Sequence, residues 1–227
     1  MSEHLVVQLP EGAPGQLFLL FHGVGSTPES LVSLGERLAD EFPSAAVISV
    51  RAPDPSDLGA GYQWFPVAGI TEDNRAGRIA AAMPRFVDSV RGFQQATGTT
   101  AAQTALVGFS QGAIMALAAT QLPGAVLAGR VISLAGRFAG LPTVAPVETT
   151  LHMIHGRRDA VVAHEHSVAA AERLIVLGGD VTADVIAGLG HAVDLEVVDL
   201  LVHRLQTHVP KRLWEQAMVA DAAAGGG

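Results

Sequence analysis

A serine with glycine two residues away on either side, Gly108-Phe109-Ser110-Gln111-Gly112, stands between an apolar run and a run of helix formers. Ala105 to Val107 has the length and composition of a buried strand, and Ala113-Ile114-Met115-Ala116-Leu117-Ala118-Ala119 reads as a helix. A strand-to-helix turn this sharp forces strained backbone angles on the serine. Side chains two residues away would collide, so only hydrogen fits there. Such a turn lifts the Ser110 oxygen clear of the sheet edge. It also leaves the Gln111 N–H in the first helical turn, where donors are unpaired and the dipole favours negative charge. The same five residues suit a capping serine at a glycine-rich turn, so partners elsewhere in the chain must decide the chemistry.

The rest of the chain fits a sheet covered on both faces. With 227 residues, 49% of them hydrophobic and only 16% charged, it can bury a large core as one domain. A net charge of −8 argues against a nucleic-acid partner. The absence of cysteine removes disulfides, thiolate catalysis and Cys-based metal sites. The first ten residues lack the basic and long apolar regions of a signal peptide, and no stretch is long and apolar enough to span a bilayer. A cytoplasmic location without stable membrane association is expected.

In chain order, strands are predicted at Leu5 to Leu9, Leu17 to Phe21, Ala45 to Val50, the run before Ser110, Val131 to Leu134, Leu151 to Ile154 and Asp180 to Ile186. Thr27 with Pro28 opens a helix carrying Leu31, Leu34 and Leu38 on one face. Arg51 to about Thr71 reads as a long loop. The helix after Thr71 has an apolar stripe through Ile79, Met83, Phe86, Val90 and Phe93, with a kink or break expected at Pro84. Further helices are expected from His164 to Leu177, capped by Gly178-Gly179, then after His191 to Thr207, and briefly after Pro210. Exposed Leu213 and Trp214 on that last helix suit packing on the domain or on a second copy. Residues 1–220 form the expected domain and 221–227 a flexible tail. Strands alternating with helices give a mostly parallel, doubly wound sheet, whose ligands bind beyond the carboxyl ends of its strands.

Serine at neutral pH needs a base, itself oriented by a third group. Asp159 follows an apolar strand within His155-Gly156-Arg157-Arg158-Asp159, and His191 follows the last strand within Gly188-Leu189-Gly190-His191. The order Ser110, Asp159, His191 is the order in which a nucleophile elbow meets its partners on this type of sheet. His191 then takes the Ser110 proton while Asp159 fixes the imidazole tautomer. The Gln111 N–H and the backbone N–H of Val24, in the loop His22-Gly23-Val24-Gly25, are the two expected oxyanion donors. His22 is read as a brace for that loop. Four histidines, His152, His155, His164 and His166, raise the question of a metal. His164 and His166, two apart on a helix, diverge, so no metal and no cofactor is expected.

Taken together, Phe21-His22-Gly23-Val24-Gly25, Gln63-Trp64-Phe65, Gly108-Phe109-Ser110-Gln111-Gly112, His155-Gly156-x-x-Asp159-x-Val161-Val162 and Gly190-His191 resemble the carboxylesterase and acyl-protein thioesterase family of small α/β-hydrolases. Gly69-Ile70-Thr71-Glu72-Asp73-Asn74-Arg75 is similar to its bacterial esterase subgroup. The likeness spans about residues 5 to 210. It implies a single-domain α/β-hydrolase fold without a separate lid domain, Ser110, Asp159 and His191 as the triad, and Val24 and Gln111 as oxyanion donors. It also implies that Trp64, Phe65 and Val161 lie beside the substrate. The chain departs from the family at Ser26, Pro66, Ala113 and Ala163, where Asp, Asp, Gly and Pro are frequent.

The expected activity is hydrolysis of short-chain carboxylic esters through an acyl-enzyme on Ser110, falling below about pH 6.5 as an ordinary imidazole base gains its proton. The alternatives are an acyl thioesterase or lysophospholipase-type activity on longer acyl groups, and a non-catalytic binding protein with the hydrolase fold. The expected partner is a small-molecule ester or thioester, acted on by a monomer or homodimer.

Overall fold

The computed structural model describes residues 4–124 and 126–224, with 220–224 described by their backbone alone. The chain runs through β1 (Leu5–Gln8), β2 (Gln16–Phe21), a 3-10 turn (Pro28–Leu31), α1 (Val32–Glu41), β3 (Ala45–Val50), the two-residue strands β4 (Asp54–Pro55) and β5 (Tyr62–Gln63), and α2 (Glu72–Thr97). A second 3-10 turn (Ala101–Gln103) precedes β6 (Thr104–Phe109), α3 (Gln111–Ala119), β7 (Arg130–Leu134) and β8 (Thr150–Gly156). Then come α4 (Glu165–Val176), β9 (Val181–Ile186), α5 (Leu195–Thr207) and α6 (Lys211–Ala224).

Seven strands form one sheet in the order β1-β3-β2-β6-β7-β8-β9, parallel throughout except for β1 against β3. Successive residues of β2 point to opposite faces. Leu17, Leu19 and Phe21 pack with Ile79, Phe86, Met115 and Leu174 under α2, α3 and α4. Phe18 and Leu20 pack with Leu34, Leu38, Leu201 and Val202 under α1 and α5. Burial on both faces is why the central strands read as continuous apolar runs rather than alternating ones. The sheet is the α/β-hydrolase arrangement expected from the sequence, and the loops at its carboxyl end carry the candidate site.

Three expectations are corrected here. The Arg51–Thr71 stretch is not structureless: β4 and β5 pair within it. Its remainder is tied down by Asp57 Oδ2, which accepts from the N–H groups of Val67 (3.0 Å) and Ala68 (2.8 Å). Arg78 adds bonds to the carbonyls of Pro66, Ala68 and Gly69. Second, α2 is not broken at Pro84, which lies on its exposed face, while Met83 and Phe86 anchor the buried face on both sides of it. A proline there costs one backbone bond whose carbonyl can face water. Third, α6 reaches Ala224, so residues 221–224 of the expected tail are helical, and residues 225–227 lie outside the described residues, as do residues 1–3 at the start of the expected domain. Leu213 and Trp214 are 47% and 60% exposed, each leaving about half of its apolar surface open. No described helix is long and apolar enough to cross a membrane.

Candidate active site

Ser110 joins β6 to α3 with φ 53° and ψ −114°, a left-handed conformation that costs a non-glycine residue of order 1–3 kcal/mol and persists only where the surroundings enforce it. Enforcement comes from both sides. The Ser110 N–H donates to the Leu134 carbonyl of β7 at 2.9 Å, and the Ser110 carbonyl accepts from the Ile114 N–H at 3.0 Å. A Cβ on Gly112 would overlap the Phe21 carbonyl, and one on Gly108 would overlap the Ala113 backbone. Both glycines are therefore steric requirements of the turn. The Ser110 side chain emerges at the carboxyl end of the sheet, with the residue 8% exposed.

Two neighbouring loops bring the other polar groups to it. The loop after β8 is bonded to the loop after β9 through the Arg157 N–H on the Ile186 carbonyl and the Arg158 N–H on the Leu189 carbonyl, each 2.9 Å. Asp159 and His191 are thereby held side by side. His191 Nδ1 lies 2.7 Å from Asp159 Oδ2, and His191 Nε2 lies 2.9 Å from Ser110 Oγ. With an ionised carboxylate on one side, Nδ1 carries the hydrogen and Nε2 is left to accept from the serine hydroxyl. The imidazole also lies against the Phe109 ring, centroids 5.0 Å apart.

Asp159 is sealed from solvent, yet its carboxyl is held below the usual carboxylate range. Burial pushes it up. The bonds from His191 and from the N–H groups of Val162 and Val161, both 2.8 Å on Oδ1, outweigh that. A charge buried with this many donors is stable, and it orients the imidazole.

The loop carrying Val24 runs beside the Ser110 turn. Neither the Val24 N–H nor the Gln111 N–H donates to any group among the described residues, so both remain free for a ligand. His22 braces the loop as expected: its Nδ1–H donates to the Gly23 carbonyl at 2.7 Å, and its Nε2 accepts from the Ala52 N–H at 3.1 Å. Burial lowers its pKa and keeps the ring neutral, which this pairing requires.

Trp64 and Phe65 do not form an open platform beside Ser110. They are 3% and 1% exposed, and Trp64 packs edge-on against Phe21 and Phe86 in the core. The one polar atom of the indole is satisfied internally, donating to the His22 carbonyl at 2.8 Å. An indole so placed supports the Val24 loop from beneath. Val161, by contrast, is 71% exposed next to Asp159.

Three contributors escaped the sequence reading. The side chain of Gln111 reaches back to the long loop, accepting from the Trp64 N–H and donating to the Phe65 carbonyl, both at 2.7 Å. β5 holds the Val24 loop directly, through the Gly25 N–H on the Tyr62 carbonyl (3.0 Å) and the Tyr62 N–H on the Ser26 carbonyl (2.8 Å). His155 lies buried beneath Asp159 and bonds the Val162 carbonyl at 2.8 Å and Ser167 Oγ at 2.7 Å. The Gln63-Trp64-Phe65 triplet was the only sequence signal for the first two, and its meaning depends on contacts across the fold.

The chain matches the phospholipase/carboxylesterase family over residues 2–209. It is 48% identical over 217 residues to Esterase YpfH of Escherichia coli, covering 95% of this chain and 93% of that protein. It is 27% identical over 214 residues to an acyl-protein thioesterase 1 of Neurospora crassa, covering 85% and 86%. Among solved structures it is similar to esterase PE8, with a TM-score of 0.79 and 28% identity over 92% of this chain and 98% of that one. Fold, site geometry and sequence agree, and the chain belongs to the phospholipase/carboxylesterase family.

Proposed function

We propose that the protein is a serine carboxylesterase that cleaves short-chain carboxylic esters through an acyl-enzyme. The observation that carries this reading is the single hydrogen-bonded line from Ser110 through His191 to Asp159. Ser110 Oγ attacks the ester carbonyl as His191 Nε2 takes its proton, and the Asp159 carboxylate stabilises the imidazolium. The carbonyl oxygen gains negative charge in the tetrahedral intermediate and is met by the N–H groups of Val24 and Gln111, donors fixed beforehand by the backbone and by the α3 dipole. His191 then protonates the departing alkoxide, and water, deprotonated by the same imidazole, releases the acid.

Short acyl chains and soluble esters suit the surroundings. The 51–70 segment is bonded down onto the body by Arg78 and Gln111. Val161, 71% exposed and bonded through its N–H to Asp159, offers a small apolar rim for the substrate. A second reading, cleavage of thioesters or of longer acyl groups, is favoured by the similarity to acyl-protein thioesterases.

Comparing kcat/KM for aryl esters and acyl thioesters of matched chains, from two to sixteen carbons, separates the two. The first reading requires a maximum at the short oxygen esters. A maximum at long thioesters replaces it with the second. Loss of all turnover in neither Ser110→Ala nor His191→Ala would remove both.

A further inference from the structure

A cavity of about 320 Å³ opens beside the segment leaving β3, against α2 and the beginning of the chain, and none of Ser110, Asp159 and His191 lines it. Arg51, Arg85, His4 and Ser89 contribute its polar lining, and Trp64 and Phe86 its aromatic surface. Among the described residues no carboxylate lines it, although the chain carries a net charge of −8. Arg85 is paired with Asp54 through bonds of 2.9 and 3.1 Å. Arg51 has no carboxylate within ion-pair distance among the described residues: its guanidinium lies 4.6 Å above the Tyr62 ring and donates one bond to the Tyr62 hydroxyl at 3.1 Å.

That arrangement holds a half-buried cation in a fixed orientation with most of its donors unused. His4 adds to it. The Arg51 N–H donates to His4 Nδ1 at 3.1 Å, which places the hydrogen of the neutral ring on Nε2, and no acceptor among the described residues takes it. Burial, and then the charge of Arg51, lower the His4 pKa, which keeps the ring neutral.

We propose that this cavity is a second binding site, separate from the ester site, for a small organic carboxylate. The carboxylate is taken by the guanidinium of Arg51, with Arg85, His4 and Ser89 as the other polar groups within the cavity. A guanidinium already stacked on an aromatic ring loses little freedom on pairing with a carboxylate, and planar two-point recognition is the geometry it favours. The apolar part meets Pro53, Ala82 and the small exposed edges of Trp64 and Phe86, 3% and 2% exposed.

The chain has two tryptophans, so Trp214→Phe leaves Trp64 as the only indole and makes it a reporter of the cavity. Benzoate titrated into that full-length variant should give a saturable change in Trp64 fluorescence. Benzamide, its uncharged counterpart, should bind at least tenfold more weakly. Arg51→Gln should weaken benzoate by at least tenfold as well. Arg85→Gln alters a largely exposed side chain and serves as the second variant should Arg51→Gln fail to fold; it should weaken benzoate several-fold. A response without saturation, an equal response to benzamide, or benzoate binding unchanged by the substitutions would overturn the proposal.

Discussion

His155 Nε2 lies 3.2 Å from Asp159 Oδ2, with both side chains fully excluded from solvent. Burial holds the His155 pKa below its ordinary value, so the ring is neutral and its single hydrogen sits on Nε2, facing the Val162 carbonyl and the Asp159 carboxylate. Ser167 then donates to Nδ1. His155 is thus a positioning residue for the turn that presents the proposed triad acid.

Replacing His155 by Phe keeps an aromatic ring but leaves the Val162 carbonyl without this partner, while the Ser167 hydroxyl can still donate to the Gly136 carbonyl at 3.2 Å. A buried group so orphaned costs about 1–3 kcal/mol. The expected result is a urea midpoint lowered by a corresponding amount, together with a lower kcat. An unchanged midpoint would mean that the turn is held by the Val161 and Val162 N–H bonds alone.

Gln111 offers a separate test of the oxyanion side. Its carboxamide makes two buried 2.7 Å bonds to the Trp64–Phe65 backbone, and its own N–H is one of the proposed donors. Gln111→Ala retains the donor but releases its support. A donor misplaced from the oxyanion costs on the order of a hundredfold in kcat. Steady-state kinetics on an aryl acetate should show that loss in kcat with little change in KM; the reverse pattern would assign Gln111 to substrate binding.

Gly112 has no room for a methyl group, because the Phe21 carbonyl occupies the space. Gly112→Ala must displace β2 or α3, at a cost of about 1–3 kcal/mol for overpacking. Thermal melting should show a clear fall, and activity should drop further than stability because the Ser110 turn moves. Gly188→Ala, where a methyl would meet nothing, is the matching control.

Stability should fall with acidity before any carboxylate is protonated. His22 and His155 have pKa values lowered chiefly by burial, and that of His152 falls to about 3 through burial and then the charges of Arg130 and His208. A depressed imidazole binds its proton in the unfolded chain first. Its contribution is complete above the unfolded value near 6.5 and is lost as the pH falls towards the folded value, at about 1.4 kcal/mol per pH unit for each ring. Urea unfolding at pH 7.5 and pH 5 should show this loss, and His152→Gln should reduce the slope. A slope unaltered by the substitution would mean that His152 does not contribute to it.

Sequence carried the architecture because its signals are local. β3 was delimited residue by residue by the run Ala45–Val50, and the other strands of the seven-stranded sheet to within one or two positions, since strands buried on both faces read as mostly apolar runs, whereas the two-residue β4 and β5 gave no such signal. Ser110, Asp159 and His191 were legible for a related reason: each closes a strand, and strand ends in a parallel sheet converge at one edge. What could not be read was support from across the fold. Trp64 reads equally well as a substrate platform or as core, and only the satisfied indole N–H and its packing on Phe21 and Phe86 decide for core. Pro84 was over-read because the pattern did not show that it lies on the solvent side of α2, where the lost bond is cheap.

The account rests on Ser110 becoming acylated with His191 as its base. Protein quenched during turnover of an aryl acetate and digested for mass spectrometry should carry an acetyl group on the peptide containing Ser110. That group should be absent from Ser110→Ala and strongly reduced in His191→Ala. Acetylation of a different residue, or an undiminished yield of acyl-enzyme without His191, would contradict it.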